Sequence, residues 1–143
     1  MVFREGASSA GVVIAAVGPH LVGADATDGT VLWKRTIGAV KDRSVLLIAL
    51  QHENVIAGRG NDLVCINQRS GEIVWKTESP VAMLTLLVDG ERIFASYVGE
   101  VACFDAKGAL VWHEALHGGE GRMSLAAGGV VVQGVEPPDW RLR

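Results

Sequence analysis

His113 and His117 stand four residues apart, a spacing that brings two imidazoles onto one Zn²⁺ when both project from the same face of a helix. Their setting, LeuValTrpHisGluAlaLeuHis from Leu110, reads as an outer strand running into a turn, where four residues span about 13 Å. No metal site is expected there. His20 and His52 fall at the borders of apolar runs and read as solvated turn residues. HisGlyGlyGluGlyArg at 117–122 is glycine-rich but lacks the GlyLysSer or GlyLysThr ending of a phosphate loop, and no helix follows to receive an anion. Serines 8, 9, 44, 70, 79, 96 and 124 sit in no GlyXxxSerXxxGly frame, so no activated nucleophile is assigned. Cys65 in LeuValCysIle and Cys103 in ValAlaCysPhe read as buried, reduced thiols inside strands. The chain is therefore expected to be non-enzymatic, with no catalytic, metal or cofactor-binding residues and no cofactor.

Charge narrows the partners. The 143 residues carry 16 acids and 13 bases, net −3, scattered rather than blocked. No basic stripe offers itself to nucleic acid and no polybasic arm to a membrane surface. Apolar runs such as Val81 to Val88 fall far short of the roughly 20 residues that cross a bilayer. The N-terminal stretch lacks the core and flanks of a signal peptide, so a cytoplasmic location is expected. An apolar content of 49% argues for a packed core.

The elements that position these residues are set by repetition. AlaAspAlaThrAspGlyThrValLeuTrp closes at Trp33, IleAsnGlnArgSerGlyGluIleValTrp at Trp75 and PheAspAlaLysGlyAlaLeuValTrp at Trp112. Each copy has an Asp or Asn (Asp25, Asn67, Asp105), then a Gly (Gly29, Gly71, Gly108), then the Trp four residues beyond. A second series, starting at Gly11, Glu53, Glu91 and Gly129, keeps the same register. A period of roughly 40 residues filled with short β-rich segments is the signature of a propeller blade. In the second copy the strands are expected near Val45–Leu50, Asn54–Ala57, Leu63–Asn67 and Ile73–Thr77. In the third they fall near Met83–Val88, Ile93–Tyr97, Val101–Asp105 and Leu110–Glu114. Helices should be scarce, since no stretch holds a 3.6-residue apolar period. The AspXxxXxxXxxGly segments form the turn before each outer strand, Asp or Asn bonding local N–H groups and Gly accepting positive φ. Each Trp then reaches the neighbouring blade.

Loops from outer strands to the next inner strand, and from second to third strands, emerge at one end of such a ring. They carry Lys41, Asp42, Arg43, Arg59, Asn61, His117, Glu120 and Arg122. These residues form a possible interaction face; the alternative is that they are ordinary solvating charges.

At the Trp, Gly and Asp positions the chain resembles the PQQ-like, quinoprotein-type propeller repeat, whose blades follow AlaXxxAspXxxXxxThrGlyXxxXxxXxxTrp. The match covers roughly residues 11 to 135. It departs at Asn67, at the shorter Asp105–Gly108 turn and at Asp28, Ser70 and Lys107 before the glycines. The resemblance implies an all-β fold of four-stranded antiparallel blades. The family includes pyrroloquinoline quinone dehydrogenases and non-catalytic scaffolds. This chain has no adjacent cysteine pair and no assignable Glu, Asn and Asp set for calcium, so the resemblance implies fold and interaction surface.

One partial propeller domain is expected over 1–143, with repeats at about 11–35, 45–77, 83–114 and 122–135 and a short tail at 136–143. Counting from Gly11 gives 13 strands, and one between Phe3 and Ser9 would make three and a half blades, whereas closed rings hold four to eight. A second copy or another protein is expected to complete the ring. The reading is a protein-interaction scaffold. Its alternatives are a cofactor-binding or oxidoreductase fragment, and a small-ligand sensor.

Overall fold

The computed structural model describes residues 11–39, 43–116 and 124–132. Every regular element among them is a strand: β1 (Val12–Val17), β2 (His20–Asp25), β3 (Val31–Thr36), β4 (Leu47–Gln51), β5 (Asn54–Asn67), β6 (Ile73–Met83), β7 (Thr85–Asp89), β8 (Arg92–Tyr97), β9 (Glu100–Phe104), β10 (Leu110–Ala115), β11 (Leu125–Ala127) and β12 (Val130–Val132). The sheets are antiparallel meanders, ordered β1-β2-β3, β4-β5-β6, β7-β8-β9-β10 and β11-β12. No helix of the described residues is long and apolar enough to cross a membrane.

β5 is two strands of the repeat joined without a break. It doubles back at Gly60, where φ is +59°, as it is at Gly18 between β1 and β2. The amide of Gln68 reaches the carbonyl of Glu53 at 3.0 Å, the counterpart of Ala26 to Gly11 at 2.8 Å. The turn expected at 59–62 is thus present, but its residues stay in the ladder because β6 runs past its blade and pairs Asp62 with Glu78 and Gly60 with Met83. Besides the joining of two expected strands into β5, that extended passage through Pro80 departs from the sequence expectation, which ended the strand at Thr77. The second and third blades each hold four strands. The first shows three and the fourth two among the described residues. The strand considered between Phe3 and Ser9 lies outside them.

Packing explains why the apolar pattern fails to alternate. Val55, Ile56 and Ala57 are consecutive and wholly buried. Val55, Ala57, Val64 and Ile66 pack with Leu21, Trp33 and Ile37 of the first blade. Ile56, Leu63 and Cys65 turn the other way, onto Ile93, Ala95, Ala102 and Phe104 of the third. A sheet sandwiched between two others has no wet face, so neither set of side chains is polar.

Candidate functional site

Each Asp or Asn turn is built on one plan, the third being a residue shorter. The side-chain oxygen of Asp25 accepts from the amide of Thr27 at 2.7 Å, that of Asn67 from Arg69 and Ser70 at 3.0 Å each, and that of Asp105 from Lys107 and Ala109 at 2.9 Å each. The two amides facing Asp105 hold its carboxyl below the usual 3.8. The turn closes as the amides of Gly29, Gly71 and Gly108 donate to the carbonyls of Asp25, Asn67 and Asp105 at 2.8, 2.9 and 3.0 Å. All three glycines take positive φ, +80°, +75° and +84°, where an L side chain costs about 1–2 kcal/mol.

The turn of one blade receives the indole of the blade before it. Trp33 Nε1 donates to Gln68 O at 2.7 Å, and Trp75 Nε1 to Ala106 O at 2.9 Å. Each acceptor follows the turn Asn or Asp directly. The rings lie on the turn glycines: a Cβ on Gly71 would come within 2.4 Å of Trp33 Cγ, and one on Gly108 within 2.6 Å of Trp75 Cε3. A second glycine, Gly23, lies beneath the other part of Trp33, leaving only 2.3 Å to Cε2 for an added Cβ. Gln51 Nε2 to Gly90 O at 2.9 Å and His52 to Glu91 at 2.8 Å extend the lock along the hairpin tips.

Among the described residues, the lock is incomplete at Trp112 and at the Asp25–Gly29 turn. Trp112 pairs across β10 and β9 with Cys103, as Trp75 does with Cys65 and Trp33 with Gly23. Yet it is 40% exposed. Its ring contact among the described residues is tilted against Phe94, centroids 6.2 Å apart. At the other end, a Cβ on Gly29 would meet nothing within 4 Å. Val13, Ala15, Val22 and Ala24 occupy the positions of Val55, Ala57, Val64 and Ile66 one repeat on. Val55 is wholly buried, whereas Val13 is 53% exposed; Ala15 is exposed, and Val22 and Ala24 half-buried.

The charged loop residues behave differently from one another. Arg43 is exposed and shares a cleft of about 490 Å³ with Arg59. Arg59 corrects the expectation of an exposed loop cation. It is 2% exposed and donates to Ser44 O at 3.0 Å, Ile37 O at 2.8 Å and Ala39 O at 2.7 Å. Three carbonyls of one loop need a fork of donors, and a guanidinium supplies it. Asn61 is exposed and ties the β5 turn to Ser79 O at 2.9 Å. Lys41, Asp42, His117, Glu120 and Arg122 lie outside the described residues. His20 bonds Thr36 at 3.0 Å and His113 bonds Glu100 at 2.8 Å, both across strands. No group of three metal-ligating side chains occurs among the described residues. Cys65 and Cys103 are free and buried; burial pushes the Cys65 thiol up to about 11.

Four-stranded antiparallel blades, each locked to the next by an indole seated on an Asx turn and its glycine, define a β-propeller of PQQ-like repeats. The family model described as outer membrane protein assembly factor BamB matches residues 20–134, and the chain belongs to that family. A search of curated proteins found no match. Among solved structures the fold is similar to BamB from Moraxella catarrhalis, at 19% identity and a TM-score of 0.61 over 86% of this chain and 42% of that one. It is also similar to Sqt1 from Saccharomyces cerevisiae, at 18% identity and 0.68 over 94% and 42%. A europium-containing methanol dehydrogenase matches at 17% identity and 0.58 over 73% and 22%. The chain spans less than half the length of each of these proteins.

Proposed function

We propose that this chain is a non-enzymatic propeller module that works by protein–protein contact, with its end faces docking onto further polypeptide. The observation that carries the reading is the contrast between equivalent positions: Val55 and Ile93 are wholly buried beneath a neighbouring blade, while Val13 is 53% exposed. Isolated surface valines are ordinary. A whole face made of residues that are interior in the next two repeats is a docking surface. The likeness to BamB, whose name is that of an assembly factor, supports an interaction role.

Native mass spectrometry of the protein purified from its own source tests the reading. The expected result is a complex of at least two polypeptide chains, with the amides of β1 and β2 protected from hydrogen exchange. A single chain as the only species, with those amides unprotected, would overturn it. Incubation with pyrroloquinoline quinone and Ca²⁺ separates the competing oxidoreductase reading: saturable binding with dye reduction would sink the non-enzymatic one.

A further inference from the structure

We propose that the seam between the first and second blades is a docking groove for an extended segment of a partner protein, one that carries an acidic and a basic side chain two residues apart. This seam is interior to the array and lies apart from the end faces, so docking here is independent of docking there. A cleft of about 550 Å³ runs between β3 and β6. Ile37 and Val64 are buried in its floor, while Arg35, Asp62, Lys76 and Glu78 along its walls are exposed. An open furrow with an apolar floor suits a length of extended chain better than a small molecule, which a pocket encloses over most of its surface.

The cleft has a polarity. Lys76 pairs with Val64 and Glu78 with Asp62 across β6 and β5, and partners directly opposite in a ladder share a face. Val64 packs with the first blade, so Lys76, Asp62 and Glu78 all stand on the side turned towards it. Arg35 enters from the first blade, its Nε donating to Gly71 O at 2.7 Å, at the turn that precedes β6. One end of the cleft is thus cationic, with Arg35 and Lys76, and the other anionic, with Asp62 and Glu78. None of the four takes part in an ion pair among the described residues. The two carboxylates moreover face each other in the ladder, where like charges are unfavourable.

The seam between the second and third blades has the same positions in a closed form. One repeat on, Lys76 becomes His113, Asp62 becomes Glu100, Arg35 becomes Thr77 and Glu78 becomes Ala115. His113 and Glu100 bond each other at 2.8 Å, and those four positions hold no further charge. The first seam keeps two more charges and joins none of them. An incoming side chain can satisfy each end: a carboxylate at Arg35 and Lys76, an ammonium or guanidinium at Asp62 and Glu78. Lys76 and Glu78 are two residues apart on one strand, about 7 Å, which is also the spacing of alternate side chains on an extended ligand. The occupant is therefore a strand-like peptide with its acid and base at i and i+2.

A phage-displayed library of random heptapeptides, selected against the whole chain, tests this. The enriched sequences should carry an acid and a base two residues apart. The best of them, synthesised with a fluorescent label, should bind at least about tenfold more weakly to Lys76→Glu and to Glu78→Lys, each of which brings like charges together across the contact. The double variant Lys76→Glu/Glu78→Lys reverses the cleft and should prefer the same peptide with its acid and base exchanged. Glu78→Gln separates docking from a structural role. It removes a like-charge pair, so its urea midpoint should be no lower than that of the wild type while the labelled peptide binds more weakly. Selection that enriches no such spacing, or a peptide whose binding the charge variants leave unchanged, overturns the inference. A lowered midpoint for Glu78→Gln does so too, because the carboxylate would then be working within the fold. Each of these failures leaves the end faces as they were, since none of the four residues belongs to them.

Discussion

Gly29 and Gly71 form a matched pair for measuring the inter-blade lock. Their φ angles are +80° and +75°, so a methyl group at either site strains the backbone equally, by about 1–2 kcal/mol. Their surroundings differ. The Cβ of Gly71→Ala would lie 2.4 Å from Trp33 Cγ and 2.6 Å from its Cβ and Cδ2, while that of Gly29→Ala meets nothing within 4 Å among the described residues. Trp33 cannot withdraw freely, because Nε1 is held by Gln68 O and the ring is fixed against Gly23. Overpacking of this kind costs a further amount of about 1–3 kcal/mol. Gly71→Ala should therefore be less stable than Gly29→Ala by about 1–3 kcal/mol. At roughly 2–4 °C per kcal/mol for a chain of this size, the melting temperatures should separate by several degrees. Urea unfolding at matched protein concentration is the assay. In a Trp33→Ala background the difference should vanish, since the clash has gone. Equal midpoints for the two alanine variants, or a difference that survives loss of the indole, would refute the lock as the reason for glycine at 71.

Arg59→Lys should lower stability by about 2–3 kcal/mol, because one ammonium cannot serve the three carbonyls that the guanidinium now serves; limited proteolysis should reveal new cleavage around residues 37–44, and an unchanged urea midpoint would contradict it. The Cys65 thiol ionises in the unfolded chain near 9.0 and in the folded one near 11, so its contribution is complete below pH 9 and drains away as pH rises towards 11; unfolding curves at pH 8, 9.5 and 10.5 should show a decline that Cys65→Ala diminishes, and identical slopes would count against it. Asp105 has the opposite sign. Its carboxyl is held below 3.8 by the amides of Ala109 and Lys107, so its stabilisation is present above that value and disappears as pH falls through the folded one. Asp105→Asn, the substitution that Asn67 already represents in the second blade, should keep the turn but lose the carboxylate's contribution at neutral pH, and so flatten the acid limb of the stability curve; an acid limb as steep as the wild type's would count against it.

What could be read from the residues alone is what local geometry compels. A turn at φ near +80° with an indole over its Cα admits glycine and little else, and a turn that needs a side-chain acceptor for its amides asks for Asp or Asn. Those positions therefore recur at Asp25, Asn67 and Asp105 and at the three glycines, and the blades could be counted from them. What could not be read depends on contacts distant in sequence. Arg59 sits in a turn between strands, where a cation ordinarily faces water; it is buried with its guanidinium on the carbonyls of Ile37, Ala39 and Ser44, which no local pattern announces. The extension of β6 to Met83 was hidden in the same way. Pro80 suggests a break, yet pairing of Gly60 with Met83 carries the strand through.

The end faces lay between these cases. Which residues of the outermost described blades are left bare emerges only when equivalent positions are compared in space. Arrays of stacked repeats that end in solvent carry atypical terminal units with a polar outer face. This chain does not do so at the described face of its first blade, where Val13, Ala15, Val22 and Ala24 keep the apolar character of an interior repeat. At the opposite end Trp112 keeps an indole that makes no hydrogen bond of the kind Trp33 and Trp75 make among the described residues. Retaining the valines on the described face of the first blade and the tryptophan on β10 keeps there the side chains that the second and third blades use for packing, which is what the proposed docking role asks of them.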